Sequence, residues 1–260
     1  MGESRVGSGY GARVEGLHAV EAAVEAGRVR RLWIEESRLA DLKGLVASAR
    51  GIGAEVEVVA DLTEDAHTSS PQGVAADCVP HRSLQLRELV EVAWPPALLV
   101  CDHIQDPQNL GALARSALAS GASGMVVPDR RSAPLSAAAF KAAAGALEHL
   151  PVVVVGSVAE ALRTIKQLGV WTVGLAADGS DSLFGLSLLS EPVAVVLGQE
   201  QGGLTRLVRE RVDVVARIPQ DPKVESLNVS VAGALAMFEV MRIRSQQSGL
   251  KSRGSSSAPA

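Results

Sequence analysis

The sequence predicts an α/β protein, with a C-terminal domain built on a parallel sheet flanked by helices and a small α/β domain before it. Three observations carry this. Largely apolar runs recur at 97–101, 125–127, 152–155, 170–176 and 193–197, and runs without polar alternation mark strands covered on both faces, hence a parallel sheet. Helical patterns lie between most of these runs. Three polar clusters stand where a strand-like run gives way to a helix-like run, which is where open α/β sheets bind ligands.

In chain order, the Gly/Ser-rich residues 1–12 read as a disordered leader. Gly16–Ala26 has the spacing of a short amphipathic helix and stops at Gly27. Val29–Glu35 is strand-like, Leu39–Arg50 helical, Glu55–Val59 an alternating strand and Gln72–Val79 a last strand, so residues 13–80 make the small domain. Residues 81–96 read as a charged linker helix ended by Trp94-Pro95-Pro96, because paired prolines neither continue a helix nor enter a central strand. The domain of 97–244 follows. Its helices are expected over Leu110–Ser120, Ala137–Leu147, Val158–Leu168 and Leu204–Arg211, with a shorter strand at Val214–Ile218 and a closing helix over Leu227–Arg244. The Ser-rich residues 245–260 read as a disordered tail.

Composition bounds the function. A chain of 260 residues that is 47% hydrophobic and 21% charged can bury a core, and with only 3% aromatics that core must be aliphatic. The two cysteines, Cys78 and Cys101, each lie in a strand-like run. They read as reduced core residues of a cytoplasmic protein, and no His/Cys set has metal-ligand spacing. No apolar segment is long enough to span a membrane, and the N-terminus lacks a signal-peptide core. The net charge of −4 argues against a general nucleic-acid binder. Residues 1–80 carry 8 Lys/Arg against 13 Asp/Glu. RNA contacts would therefore come from local clusters, namely Arg28, Arg30 and Arg31, Arg130 and Arg131, or Arg206, Arg209 and Arg211. Each cluster by itself reads as a solvated face.

The first junction is Asp106-Pro-Gln-Asn109-Leu-Gly111-Ala-Leu-Ala-Arg115. With Asn109 at the helix start, Arg115 projects from the second turn; the plain alternative is an N-cap and a surface arginine. The second is Leu197-Gly198-Gln-Glu200-Gln-Gly202-Gly203-Leu204, where glycines permit close main-chain approach to a ligand. It is neither a dinucleotide fingerprint nor a Walker loop. The third, Ile218-Pro219 through Ser226-Leu227-Asn228-Val229-Ser230, alternates polar and apolar residues, which suggests an extended lead into a helix. The five histidines show no Ser-His-Asp context, so no nucleophilic triad is indicated.

Together the clusters resemble the SpoU (TrmH) branch of the SPOUT methyltransferases, which transfer methyl groups from S-adenosylmethionine to RNA ribose 2′-hydroxyls. The matching residues are Asn109-Leu-Gly111-x-x-x-Arg115, Leu197-Gly198-x-Glu200-x-x-Gly203-Leu204, and Ile218-Pro219 followed by Ser226-Leu227-Asn228-Val229-Ser230-Val231-Ala232. The N-terminal Gly16-Leu-His-Ala-Val20 and Pro71-Gln-Gly-Val-Ala75 are similar to the L30e-like RNA-binding domain of the 23S rRNA guanosine-2′-O-methyltransferase subgroup, and Val127-Pro128 with Arg131-Ser132-Ala133 fits that subgroup too. One segment departs from the family pattern. A Met and then a Gly usually follow the Ile-Pro, whereas Gln220-Asp221-Pro222-Lys223 is stiffer and more acidic.

The resemblance implies a deep trefoil knot in the C-terminal domain and a homodimer with active sites at its interface; with no metal-ligand spacing in the sequence, no metal is expected. It implies a cofactor site lined by Leu197, Gly198, Ile218 and Leu227, and catalytic roles for Asn109, Arg115, Glu200, Ser226 and Asn228. The expected substrate is a guanosine of 23S rRNA. The alternatives are a tRNA ribose, or a non-catalytic RNA-binding assembly factor that kept the fold. Neither DNA nor a membrane is an expected partner.

Overall fold

The computed structural model describes residues 9–254. Its first elements are β1 (Arg13–Glu15), α1 (Leu17–Glu25), β2 (Val29–Glu35), α2 (Lys43–Gly51), β3 (Glu55–Val59) and β4 (Val74–Cys78). Their strands form one sheet in the order β1-β4-β2-β3, parallel between β2 and β3 and antiparallel elsewhere. Leu32 and Ile34 of β2 are fully buried, while Arg31 and Trp33 lie on the opposite face. At three residues, β1 is too short to show an alternation, so the sequence does not announce it. α2 starts at Lys43 rather than Leu39, because a 3-10 turn at Glu36–Arg38 precedes it.

The chain continues through α3 (Leu86–Glu91), β5 (Ala97–Cys101), α4 (Pro107–Ala119), β6 (Gly124–Pro128), α5 (Ala137–Ala143), α6 (Ala146–His149), β7 (Val152–Val155), α7 (Val158–Gln167) and β8 (Trp171–Leu175). It ends with β9 (Asp181–Ser182), β10 (Val193–Leu197), α8 (Arg206–Arg211), β11 (Val214–Arg217) and α9 (Val229–Gly254). The strands form a seven-stranded sheet, order β7-β6-β5-β10-β8-β11-β9, with every pairing parallel. β5, β6 and β10 are buried along their whole length, as the unbroken apolar runs require.

By packing, the chain divides into two units. One comprises the residues up to Ser83 together with Gln105–Arg115 and Ala133–Leu150, and the other comprises Leu84–Ile104, Ser116–Ser132 and the residues from Pro151 on. Several expected elements differ in detail. Residues 81–96 are not one linker helix: only Leu86–Glu91 is helical, and Leu89 and Val90 pack in the core of the second unit with Leu98, Val100 and Leu162. The charges that suggested a linker lie on the helix's outer side. The single helix expected over 137–147 breaks into α5 and α6 at Ala144 and Gly145, both at positive φ. A Cβ on Gly145 would lie 2.9 Å from Ala22 Cβ, so α1 sets where the break occurs. In the expected leader, Tyr10 pairs with His81 and stacks on its ring, while residues 1–8 lie outside the described part. In the expected tail, 245–254 continue α9, and 255–260 lie outside it. Among the described residues no helix is long and apolar enough to cross a membrane.

Arg244 anchors α9 within the second unit. Its guanidinium donates to the carbonyls of Pro95 (2.7 Å), Pro96 (2.9 Å), Glu191 (2.7 Å) and Leu189 (3.3 Å). Arg244→Leu should lower stability by about 2 kcal/mol, because the part-buried carbonyls of Leu189 and Pro96 lose a charged donor while those of Pro95 and Glu191 remain open to water. Arg244→Lys should recover little of this, since an ammonium cannot reproduce the planar fork. Urea titration of the three proteins checks both statements.

The N-terminal unit is held by two buried carboxylates. Glu15 accepts from His67 N (2.8 Å), Thr68 N (2.9 Å) and Thr68 Oγ1 (2.7 Å), strapping the 61–70 loop over the sheet. Glu148 accepts from Arg28 Nε (2.7 Å) and pairs with His81 Nε2 (3.0 Å). Burial opposes ionisation of both, but these hydrogen bonds outweigh it and hold each carboxyl below its ordinary range. A depressed folded-state pKa contributes stability above the unfolded value of about 4.3, and that stability is lost as pH falls through the folded values. The urea midpoint of the protein should therefore drop below about pH 4. The double variant Glu15→Gln/Glu148→Gln should start lower and show a flatter acid limb. An unchanged limb would assign the acid sensitivity to other groups.

Candidate functional site

In the second unit, a cleft of about 510 Å³ opens at the carboxyl ends of β8, β10 and β11. Leu175 and Ala176 line it from β8, Leu197 to Gln201 from the turn after β10, Ile218 and Gln220 from the segment after β11, and Glu225 to Leu227 from the lead into α9. Beside it, β5 and β10 are neighbours whose chains leave in opposite directions across the sheet. Such a reversal of strand order creates a crevice in open α/β sheets.

The turn after β10 is closed by a pair of main-chain hydrogen bonds between Gln199 and Gly203, at 2.8 and 2.9 Å. Gly198 is required immediately before it. A Cβ there would lie 2.0 Å from Gly203 C and 2.2 Å from Leu204 N, so main chain passes where any side chain would stand. Glu200 is exposed on the cleft side of this turn.

The lead into α9 has no regular secondary structure, and the helix begins at Val229. Asn228 is its cap: Oδ1 accepts from Ser230 N at 2.8 Å and Ser230 Oγ at 2.6 Å. This capping leaves Ser226 and Leu227 outside the helix, where they line the cleft. The departing Gln220–Glu225 segment ties itself into a turn. Asp221 Oδ1 accepts from Lys223 N at 2.9 Å, and Gln220 Nε2 donates to Val224 O at 3.0 Å.

The expected residues thus fall into groups. Leu197, Gly198, Glu200, Ile218, Ser226 and Leu227 come together in one cleft, with Asn228 beside it as a helix cap. Asn109 and Arg115 are on α4, in the stretch that packs with the N-terminal unit. Asn109 is not at the helix start, because α4 begins at Pro107 with Asp106 as its cap (Gln108 N to Asp106 Oδ1, 2.8 Å). Arg115 is exposed and has no side-chain partner among the described residues. Arg28 lies inside its unit, bound to Glu148 and to the carbonyls of Gly11 and Val79. Arg30, Arg130 and Arg131 are exposed, and Arg31 pairs with Glu55 at 3.1 Å. Gln199, Gln220 and Leu175 also line the cleft without having been anticipated. Asp102, likewise unanticipated, is fully buried at the end of β5.

A family model for the SpoU rRNA Methylase family matches residues 96–238, and a model for RNA 2′-O ribose methyltransferase substrate binding matches residues 13–84. The chain belongs to the SpoU methylase family. SpoU methylases are S-adenosylmethionine-dependent RNA ribose methyltransferases, and this chain carries both the catalytic and the substrate-binding module. The 23S rRNA (guanosine-2′-O-)-methyltransferase RlmB of Xylella fastidiosa is 41% identical over 243 residues, which is 89% of this chain and 96% of that protein. An uncharacterised tRNA/rRNA methyltransferase of Synechocystis is 38% identical over 88% of this chain, which spans 62% of that relative's length. Among solved structures, the SpoU methyltransferase AviRb from Streptomyces viridochromogenes, in complex with AdoMet, is similar with a TM-score of 0.77 and 25% identity over 90% of both chains. The all-parallel seven-stranded sheet is thus the SpoU/TrmH version of the SPOUT fold.

Proposed function

We propose that this chain methylates the ribose 2′-hydroxyl of a guanosine in 23S rRNA, using S-adenosylmethionine, as a cytoplasmic homodimer whose catalytic domain is knotted. The observation that supports it best is the single cleft that collects six of the motif residues. The cleft fits the cofactor. At about 510 Å³ it is within the range of small-ligand sites, about 300–1,000 Å³. Leu175, Leu197, Ile218 and Leu227 offer apolar wall to an adenine, and the turn at Gly198 offers main chain at close approach. Glu200 and Glu225 bring negative charge to a ligand that carries a sulfonium and an ammonium.

When bound, S-adenosylmethionine supplies an electrophilic methyl group. The chain's own residues position the acceptor. Arginine guanidinium groups are not deprotonated in proteins, so the role assigned to Arg115 is not that of a base. Its guanidinium anchors a phosphate of the target and stabilises negative charge developing on the ribose oxygen. Ser226 orients the hydroxyl, Asn228 holds the lead-in that presents Ser226, and Asn109 and Glu200 fix the geometry around them. Positioning is the main contribution, since the cofactor carries the reactive group. Arg30, Arg130 and Arg131 contribute phosphate contacts, and their removal should weaken RNA binding and flatten its salt dependence.

The dimer has a candidate surface. Val231, Leu235, Phe238 and Met241 are 38–48% exposed at helical spacing along α9, an apolar stripe that a second copy would bury. Light scattering after gel filtration should give twice the chain mass, and a single-copy mass would remove this part of the proposal.

The reaction is tested with labelled S-adenosylmethionine on unmodified 23S rRNA, 16S rRNA and bulk tRNA. Label in 23S rRNA at one alkali-resistant guanosine dinucleotide is the expected result. Label only in tRNA would keep the chemistry and replace the substrate. No transfer to any RNA, with the cofactor bound, would favour an RNA-binding assembly factor.

A further inference from the structure

The turn that follows β10 is clasped by one residue on another strand. Asp102 is fully buried at the end of β5. Its main-chain N–H donates to Leu197 O at 2.7 Å, immediately before the turn begins at Gly198. Its carboxylate Oδ2 accepts from Thr205 N at 2.8 Å, immediately after the turn ends at Leu204. The second oxygen, Oδ1, lies 2.6 Å from His103 Nδ1. Among the described residues these two are the carboxylate's partners. His103 holds its place at φ +62, a left-handed conformation that costs a non-glycine residue energy and persists only where surroundings impose it.

A five-membered turn from Gln199 to Gly203 has little of its own to define where it stands over the cleft, because it projects from the sheet. The two ends are what fix it, and both are bonded to Asp102. We propose that Asp102, supported by His103, is the positioning residue of this turn and sets the affinity for S-adenosylmethionine without touching the cofactor. The inference rests on the reading that the cleft binds that cofactor.

The test measures S-adenosylmethionine Kd by calorimetry for wild type, Asp102→Ala, Asp102→Asn, Thr205→Pro and the double variant Asp102→Ala/Thr205→Pro, with melting temperatures alongside. Thr205→Pro removes the N–H that Asp102 accepts, and Thr205 already has φ −60, close to the proline value. Asp102→Ala and Thr205→Pro should each weaken binding about tenfold, and the double variant should be no weaker than Asp102→Ala, because both remove the bond between Thr205 and Asp102 and Asp102→Ala already removes the His103 contact. Asp102→Asn should stay within about threefold, since its amide oxygen still accepts from Thr205 and its NH₂ can donate to a neutral His103. Turnover at saturating cofactor should fall as well, because Glu200 is carried on the same turn. Unchanged Kd in folded Asp102→Ala and Thr205→Pro, or losses that add in the double variant, would overturn the proposal. If Asp102→Ala does not fold, Thr205→Pro alone decides. A wild-type protein that binds no S-adenosylmethionine would instead sink the functional reading beneath it.

Discussion

Alanine at Gly198 should abolish S-adenosylmethionine binding and cost about 3 kcal/mol or more of stability, a loss typical of forced overpacking at a buried site. The added Cβ would stand 2.0 Å from Gly203 C and 2.2 Å from Gly203 O and Leu204 N. All three are main-chain atoms, so no side chain can swing aside. Either the pair of hydrogen bonds between Gln199 and Gly203 opens or the buried end of β10 moves, and both displace the wall of the cleft. Gly202→Ala is the control. Its nearest new contact would be Gln199 Oε1 at 3.8 Å, an ordinary distance, so binding and melting temperature should stay near wild type. Calorimetry and thermal denaturation read both variants. A folded Gly198→Ala protein with wild-type affinity would show that the turn is not part of the cofactor site.

Arg115→Ala should lower turnover about 10²–10³-fold, the usual loss for one electrostatic group aimed at developing charge. Cofactor Kd and melting temperature should not follow, because Arg115 is exposed and has no side-chain partner among the described residues. Loss of stability alongside turnover would point to a structural role instead. Arg115→Lys separates two versions of the idea. A bidentate phosphate anchor predicts that lysine recovers little, whereas near-wild-type turnover would mean that a point charge suffices. Single-turnover methyl transfer to RNA, with cofactor in excess, measures the chemistry apart from binding.

Much of the fold is legible along the chain because the signals are local. The all-apolar runs at Ala97–Cys101 and Val193–Leu197 mark buried parallel strands, and these are the strands observed. Three-residue β1 and two-residue β9 escape notice, since neither is long enough to carry a period. The charged segment 81–96 misleads because Arg87, Glu88 and Glu91 mask Leu89 and Val90, whose burial depends on partners in later strands and helices. The cleft is legible for a similar reason. Gly198 and Glu200 follow the end of β10, Ile218 follows β11, and Ser226 and Leu227 lead into α9, so each stands at a junction that the motif spacing marks.

The sequence by itself determined the α/β class and the strand and helix order of most of the chain, which follow from period and turn chemistry acting over a few residues. Its motifs carried the resemblance to the family and pointed to six of the residues that line the cleft. Only the tertiary structure decided that Arg28 is committed to Glu148 rather than left on the surface, that α5 and α6 break where α1 packs, and that Arg244 ties α9 to four carbonyls. It alone showed Asp102 bonded to both ends of the turn after β10. The partners of these charges and glycines are up to 149 positions away in the chain. A buried polar group is satisfied by whatever the fold brings beside it, and no local pattern records that neighbour.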